Sequence, residues 1–208
     1  MADRSAAACP RKPSSSGAAR GASRSSSAST ADEAVRAGAD LGYPVVVKAV
    51  SAVWRGRLDG EGARLDLPGP DAVRAAFGEL ATLTGESALH VQRMAPRGVP
   101  VVIRVRDDPS LGSLISFGLA GATFELLGDH AQRAVPLTAV DADEILLAPR
   151  AAPLLDGFRG QAAADRSAVR DLLVRVSALA DDLPEVRELA LDPVLAAPDG
   201  ATVVSARI

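Results

Sequence analysis

The sequence predicts an α+β protein of two lobes, built mainly on antiparallel sheets and preceded by a disordered tail. Three observations carry this reading. Segments of helical and strand period alternate along the chain. Pro96-Arg97-Gly98 interrupts them, and beyond that break the pattern turns strand-rich. Residues 1–30 hold no Val, Ile, Leu, Phe, Trp or Tyr. With 208 residues, the chain has room for one globular unit or for two small lobes sharing a cleft. The expected division is a tail over 1–30, a first lobe over 31–96 and a second lobe over 97–208.

The tail carries nine Ser and eight Ala, too little apolar surface to offset the entropy of ordering it. Its net charge is +4, which leaves −7 on the remainder. An acidic body argues against specific nucleic-acid binding. The single cysteine, Cys9, excludes a disulfide framework and a cysteine-rich zinc site. No apolar run approaches membrane-spanning length, and the tail lacks the apolar centre of a secretory signal. Its Arg and Ser content also suits an organellar transit peptide, but an idle linker fits better. The expected location is cytoplasmic.

Each element has a local cause. Thr30-Ala31-Asp32-Glu33 has the form of a capping box, so a helix starts at Thr30 and stops at Gly42, with Pro44 beyond. A buried strand follows over 45–50, then a loop marked by Gly56, Gly60 and Gly62, then an alternating strand over 63–67. Pro70 and Asp71 open a second helix whose Val73, Ala76, Phe77 and Leu80 share one face. Residues 89–94 and 99–106 read as strands, with a turn at Asp107-Asp108-Pro109 and another strand over 114–119. Residues 124–137 are mixed. A short helix over 141–147 is expected with Asp141 as its cap, and the clearest helix covers 165–180, burying Val169, Leu172, Leu173, Val176 and Leu179. The chain closes on a β-hairpin around Pro198-Asp199-Gly200.

Several chemistries are excluded. No glycine precedes either lysine as a phosphate loop requires, and the dinucleotide fingerprint and the Gly-x-Ser-x-Gly elbow are absent. His90 and His130 lack metal-motif spacing; His90 reads as a satisfied strand-edge residue, and His130, beside Asp129, as a functional candidate. Lys12 and Lys48 are the only lysines, against 21 arginines. Lys48, at the end of Val45-Val46-Val47, is either a survivor of a bias toward Arg or a site that needs a compact ammonium, as nucleotide phosphates do. Composition leaves both open.

At Leu41-Gly42-Tyr43-Pro44-Val45-Val46-Val47-Lys48-Ala49-Val50-Ser51 the chain resembles the ATP-grasp domain of ADP-forming acetate–CoA ligases. The ligase-like half of bacterial protein acetyltransferases is equally similar. The likeness continues through Val91-Gln92-Arg93-Met94, Asp108-Pro109, residues 117–129, Arg133-Ala134-Val135-Pro136-Leu137, residues 152–160 and Glu188-x-x-x-Asp192-Pro193-Val194. It implies an ATP-grasp-like fold binding ATP or ADP with Mg²⁺ between two sheets. By this resemblance Lys48 would contact phosphates, Gln92, Arg93 and Met94 would lie on the hinge beside adenine, and Glu188 and Asp192 would face Mg²⁺.

The departures are specific. The family's phosphoryl-carrying histidine falls on Gly56, followed by Arg57, Leu58 and a retained Asp59. Glu-Leu-Asp-x-Asn-Pro becomes Glu188-Leu189-Ala190-Leu191-Asp192-Pro193, and a later metal-side Asp falls on Ser205. An acidic position becomes Pro100, and a loop glycine becomes Ala120. The resemblance therefore implies a nucleotide-binding domain that is catalytically impaired alone. Its partner would be a CoA-binding and ligase-CoA chain or an acetyltransferase chain. The alternative is a structural or regulatory remnant that binds no nucleotide.

Overall fold

The computed structural model describes residues 23–55 and 60–208. In chain order the first lobe comprises β1 (Ser25–Ala28), α1 (Ala31–Leu41), β2 (Val45–Lys48), α2 (Ala52–Arg55), β3 (Ala63–Leu67), α3 (Pro70–Thr84) and β4 (Leu89–Arg93). The second comprises β5 (Val99–Asp108), β6 (Gly112–Leu119), α4 (Ala122–Leu127), β7 (His130–Ala134), α5 (Ala139–Leu147), a 3₁₀ turn (Ala152–Asp156), α6 (Arg166–Asp182), β8 (Glu188–Ala197), β9 (Gly200–Val203) and β10 (Ala206–Arg207).

Strands up to Arg93 form a four-stranded sheet in the order β1-β4-β2-β3, and those from Val99 form a six-stranded sheet in the order β10-β8-β5-β6-β7, with β9 on β8. Every recorded pairing is antiparallel. Side chains alternate across a strand, so one face of each sheet is apolar and takes helices. In the first lobe Val45, Val47, Leu89 and Val91 pack with Ala34, Leu41, Val73, Phe77 and Leu80 of α1 and α3. In the second, Val101, Ile103, Val105, Ile115 and Phe117 pack with Ile145, Val169, Leu173 and Val176 of α5 and α6. The opposite faces carry the polar positions of the same strands.

The helix starts follow from capping. The Glu33 amide donates to Thr30 Oγ1 at 3.2 Å, and the Glu33 carboxylate accepts from the Ser29 amide at 2.8 Å. At α5 the cap is Thr138 rather than Asp141: Asp141 takes the third helical position of a capping box whose first member is the threonine. Two residues at one helix start can each satisfy orphan amides, and sequence alone assigned the wrong one to the cap.

At α6 the cap is Asp165, which accepts from the Ala168 amide at 3.1 Å. The Ser167 hydroxyl, then the Ala168 and Ser167 amides, hold its carboxyl below the ordinary aspartate value against the opposing effect of burial. A depressed native value means that the stabilisation is present above the unfolded value and is lost as pH falls through the native one. Asp165→Ala is therefore expected to cost about 1 kcal/mol at neutral pH. Urea denaturation should show that difference shrinking as pH drops below about 4. A cost that does not change with pH would mean that the carboxylate charge is not what caps α6.

Four expectations need correction. Ser25–Ala28 is an ordered edge strand, not tail: it pairs with Leu89–Gln92, Ala28 is buried, and the Ser23 amide bonds to the Val203 carbonyl at 3.0 Å. Backbone ladder bonds need no apolar side chain, so a serine run can complete a sheet that other residues nucleate. Residues 1–22, including Cys9, lie outside the described residues. His90 is not at an edge, because β4 runs between β1 and β2. On α6, Leu172 is half-buried and Leu179 is exposed, while Ser177 is buried and accepts from the Leu137 amide at 2.7 Å. The mixed stretch resolves into α4 and β7; β7 is an edge strand whose polar alternation (His-Ala-Gln-Arg-Ala) lacks an apolar face to signal it.

Candidate functional site

The two sheets meet where the end of the chain returns beside β2 and β4. Val46 and Lys48 on β2 lie opposite Gln92 and His90 on β4, so these four share the sheet face turned away from α1 and α3. Against that face comes the segment between β9 and β10. Its Val204 carbonyl accepts from Lys48 Nζ at 3.4 Å and from Gln92 Nε2 at 3.1 Å. One carbonyl of the second lobe thus receives two donors from the first.

A cavity of about 230 Å³ opens beside this contact. Lys48, Gln92 and Arg93 line it from the first lobe, and Asp192, Pro193 and Ser205 from the second. Val46, Leu65 and Trp54 make its apolar wall. Gly62 permits that wall: a Cβ there would come within 2.9 Å of the Trp54 Cβ and carbonyl oxygen. The structure therefore brings Lys48, Gln92, Arg93 and Asp192 to one cleft. Gln92 is almost fully buried, and its side-chain amide is committed to the Val204 carbonyl. Arg93 ends β4, and Met94 follows on the segment that joins the sheets, its amide bonded to the Pro44 carbonyl at 3.0 Å.

Glu188 is placed differently. It starts β8 opposite Arg106, four residues before Asp192, which along an extended strand is roughly 13 Å. Asp192 sits in a β-bulge, since β8 gains one residue over β5 between Leu191 and Val194. Its amide bonds to the Ser205 carbonyl at 3.0 Å, so the two positions are direct neighbours across the ladder.

Arg104, which the sequence did not single out, dominates the second-lobe side. It lies on the β5 face opposite the buried Ile103 and Val105. Its Nη2 is 2.9 Å from Asp192 Oδ2 and 2.7 Å from Glu125 Oε1, the latter carried by α4. Partial burial works against its charge, but the hydrogen bonds it donates to Glu125 and Asp192, with their negative charge, outweigh it and raise the guanidinium above its usual value. Arg106, Ser116, His130 and Gln132 share the same open face. The available signal was a lone alternation in Val101-Val102-Ile103-Arg104-Val105-Arg106, which marks a two-faced strand but not the partner of its polar face.

Hard cations take several oxygen ligands at once. Asp192 is already bound by Arg104, its ladder neighbour Ser205 offers only a neutral hydroxyl, and Glu188 stands apart. Among the described residues no three His, Cys, Asp or Glu side chains converge. Mg²⁺, however, needs only one or two carboxylates beside substrate phosphates, and Glu125 and Asp192, which meet on Arg104 Nη2, are such a pair. Gly56, Arg57, Leu58 and Asp59, where the phosphoryl carrier was sought, lie outside the described residues. Among the described residues no helix is long and apolar enough to cross a membrane.

Two lobes of antiparallel sheet close over a cleft with Lys48 on one side and the segment between β9 and β10 on the other. The profile of the ATP-grasp domain matches residues 22–208, and the chain belongs to that family. It is 34% identical over 187 residues to the β subunit of ADP-forming acetate–CoA ligase I of Pyrococcus furiosus, covering 85% of this chain and 79% of that one. The corresponding subunit of ligase II from the same organism is 34% identical, with 87% and 81% covered. Of the ADP-forming acetate–CoA ligase I of Archaeoglobus fulgidus the chain spans 27%, at 36% identity.

Among solved structures, acetyl-coenzyme A synthetase 1 of Ca. Korarchaeum cryptofilum with coenzyme A and Ca-AMPCP superposes with a TM-score of 0.82 at 33% identity, covering 89% of this chain and 84% of that one. Another form of that protein holds Mg-AMPPCP, with a phosphohistidine segment pointing towards the nucleotide-binding site; its TM-score is 0.78 at 34% identity. The chain is therefore an ATP-grasp domain of the kind found in ADP-forming acetate–CoA ligase-like proteins.

Proposed function

We propose that this domain binds ATP or ADP in the cleft between its lobes and does not complete a ligase reaction alone. The observation that carries the reading is Lys48, the single lysine after residue 12, standing beside an apolar wall in a cavity that both lobes line. A planar base suits Val46, Leu65 and Trp54; a compact ammonium suits phosphate oxygens. Bound complexes of the Korarchaeum protein, with Ca-AMPCP and with Mg-AMPPCP, support the same ligand class.

The impairment follows from the residues. Gly56 offers no imidazole where the family's carrier falls, and Ser205 replaces the later metal-side carboxylate. The P. furiosus relatives are named as β subunits, which supports action with a companion chain, either one that binds CoA or an acetyltransferase. One observation favours the alternative of a non-binding remnant: Lys48 and Gln92 both already donate to Val204. A thermal-shift titration separates the two. Binding to the native state alone raises stability by about 2.7 kcal/mol at a hundredfold excess over Kd. ATP or ADP is expected to raise the melting temperature in a saturable way. A flat response up to millimolar nucleotide would leave the remnant as the correct reading.

A further inference from the structure

Trp54, the single tryptophan of the chain, is the aromatic side chain of the cleft wall. It is carried by α2, which has four residues, too few for a helix to hold itself. Ala52 and Val53 of that helix are exposed, so burial does not fix it either. Its place is set from two other sides. Glu86 accepts from the Val50 amide at 2.6 Å through Oε2 and from the Ser51 amide at 3.1 Å through Oε1. Two charge-assisted bonds from one carboxylate to successive amides orient the turn that leads into α2. On the other side the Ala49 amide bonds to the Gly62 carbonyl at 2.8 Å, and the bare Cα of Gly62 admits the Trp54 Cβ. Glu86 is itself fixed: Gly85 ends α3 with φ 68°, and the Glu86 amide bonds to Thr84 Oγ1 at 3.2 Å. One carboxylate thus ties the end of α3 to the wall of the cleft.

We propose that Glu86 is a positioning residue for this cleft: its carboxylate fixes the turn at Val50 and Ser51, and through it the Trp54 indole that a bound nucleotide touches. The contact half of this statement rests on the nucleotide reading above; the positioning half does not. Gly62 precedes Ala63, the ladder partner of Lys48, so the indole stands at the Lys48 level of the wall. A nucleotide drawn by the ammonium meets an aromatic face there. Neither Glu86 nor any residue of α2 belongs to the first-lobe core of Val45, Val47, Leu80 and Val91. Loss of the carboxylate therefore loosens the turn and leaves the lobe folded.

Fluorescence of the single tryptophan reads α2 directly. Glu86→Ala is expected to melt near the wild type and to raise the acrylamide quenching constant of Trp54 by about twofold. Glu86→Gln, which keeps one acceptor oxygen, should raise it less. An unchanged constant in Glu86→Ala would overturn the positioning half; should that variant fail to fold, an unchanged constant in Glu86→Gln would do the same.

ADP titration tests the contact. Wild-type Trp54 emission should change saturably, with the midpoint of the thermal-shift titration. Trp54→Ala and Glu86→Ala should each weaken ADP binding by about tenfold, and Trp54→Phe should stay within about threefold of the wild type. ADP that stabilises the protein yet leaves the emission unchanged, or that binds Trp54→Ala as tightly as the wild type, overturns the contact half. If ADP does not stabilise the protein at all, the nucleotide reading falls and takes the contact with it, while quenching still decides what Glu86 does.

Discussion

Phe117→Ala is expected to destabilise the protein by about 3–5 kcal/mol, the largest single-residue effect on folding. Phe117 is fully buried in β6, flanked in the ladder by Ile103 and Ala131, and its cluster joins the six-stranded sheet to Ile145, Leu173 and Val176 on α5 and α6. Truncation removes a ring's worth of transfer free energy and leaves a cavity that the sheet, held by ladder bonds on both sides of β6, cannot collapse to fill. Urea denaturation would measure it. A loss below about 1 kcal/mol would mean that the helical layer does not pack on the sheet at Phe117.

Lys48→Ala is expected to weaken ATP or ADP binding by about 10- to 100-fold, since a charge-assisted hydrogen bond is worth roughly 1.5–3 kcal/mol. Lys48→Arg should recover only part of it, because a planar fork on a different stem does not reproduce a point charge. Lys48 also reaches the Val204 carbonyl, so the melting temperature of each variant must be recorded beside its affinity. Weakened binding in a variant that melts near the wild type assigns the loss to the ligand. Equal affinity in wild type and Lys48→Ala would remove Lys48 from the site.

What was legible in the sequence was what local chemistry decides. Thr30 with Glu33, Pro70, Asp165 and the glycines after helices mark ends because orphan amides and left-handed caps are satisfied within a few residues. Runs such as Val45–Val47 and Val99–Val105 read as strands because their burial pattern is carried by their own side chains. Local rules failed where a partner supplies the stability. The serines of β1 are a strand only because β4 offers unpaired backbone, and β7 is one only because β6 does. His90 looked like an edge residue for the same reason: that β1 covers β4 on its far side is not written near residue 90.

The candidate site divides along the same line. Lys48 was singled out by scarcity, and the family resemblance carried Gln92, Arg93, Asp192 and the loss at Ser205. Their meeting in one cleft came from tertiary structure, because residues of the first sheet reach Asp192 and Ser205 only once the end of the chain returns beside β2 and β4. Arg104 is the sharpest case. In the sequence it is one of 21 arginines, on a strand of ordinary alternation. Only the folded chain brings Glu125 and Asp192, 21 and 88 positions away, onto one of its nitrogens. The sequence by itself determined most of the elements, the two-sheet plan and the family, because periodicity, caps and motif order act over short spans of chain. Tertiary structure alone decided which charges face each other, because Coulomb attraction and hydrogen bonds depend on separations of a few ångströms that residues far apart in sequence reach only after the sheets have formed.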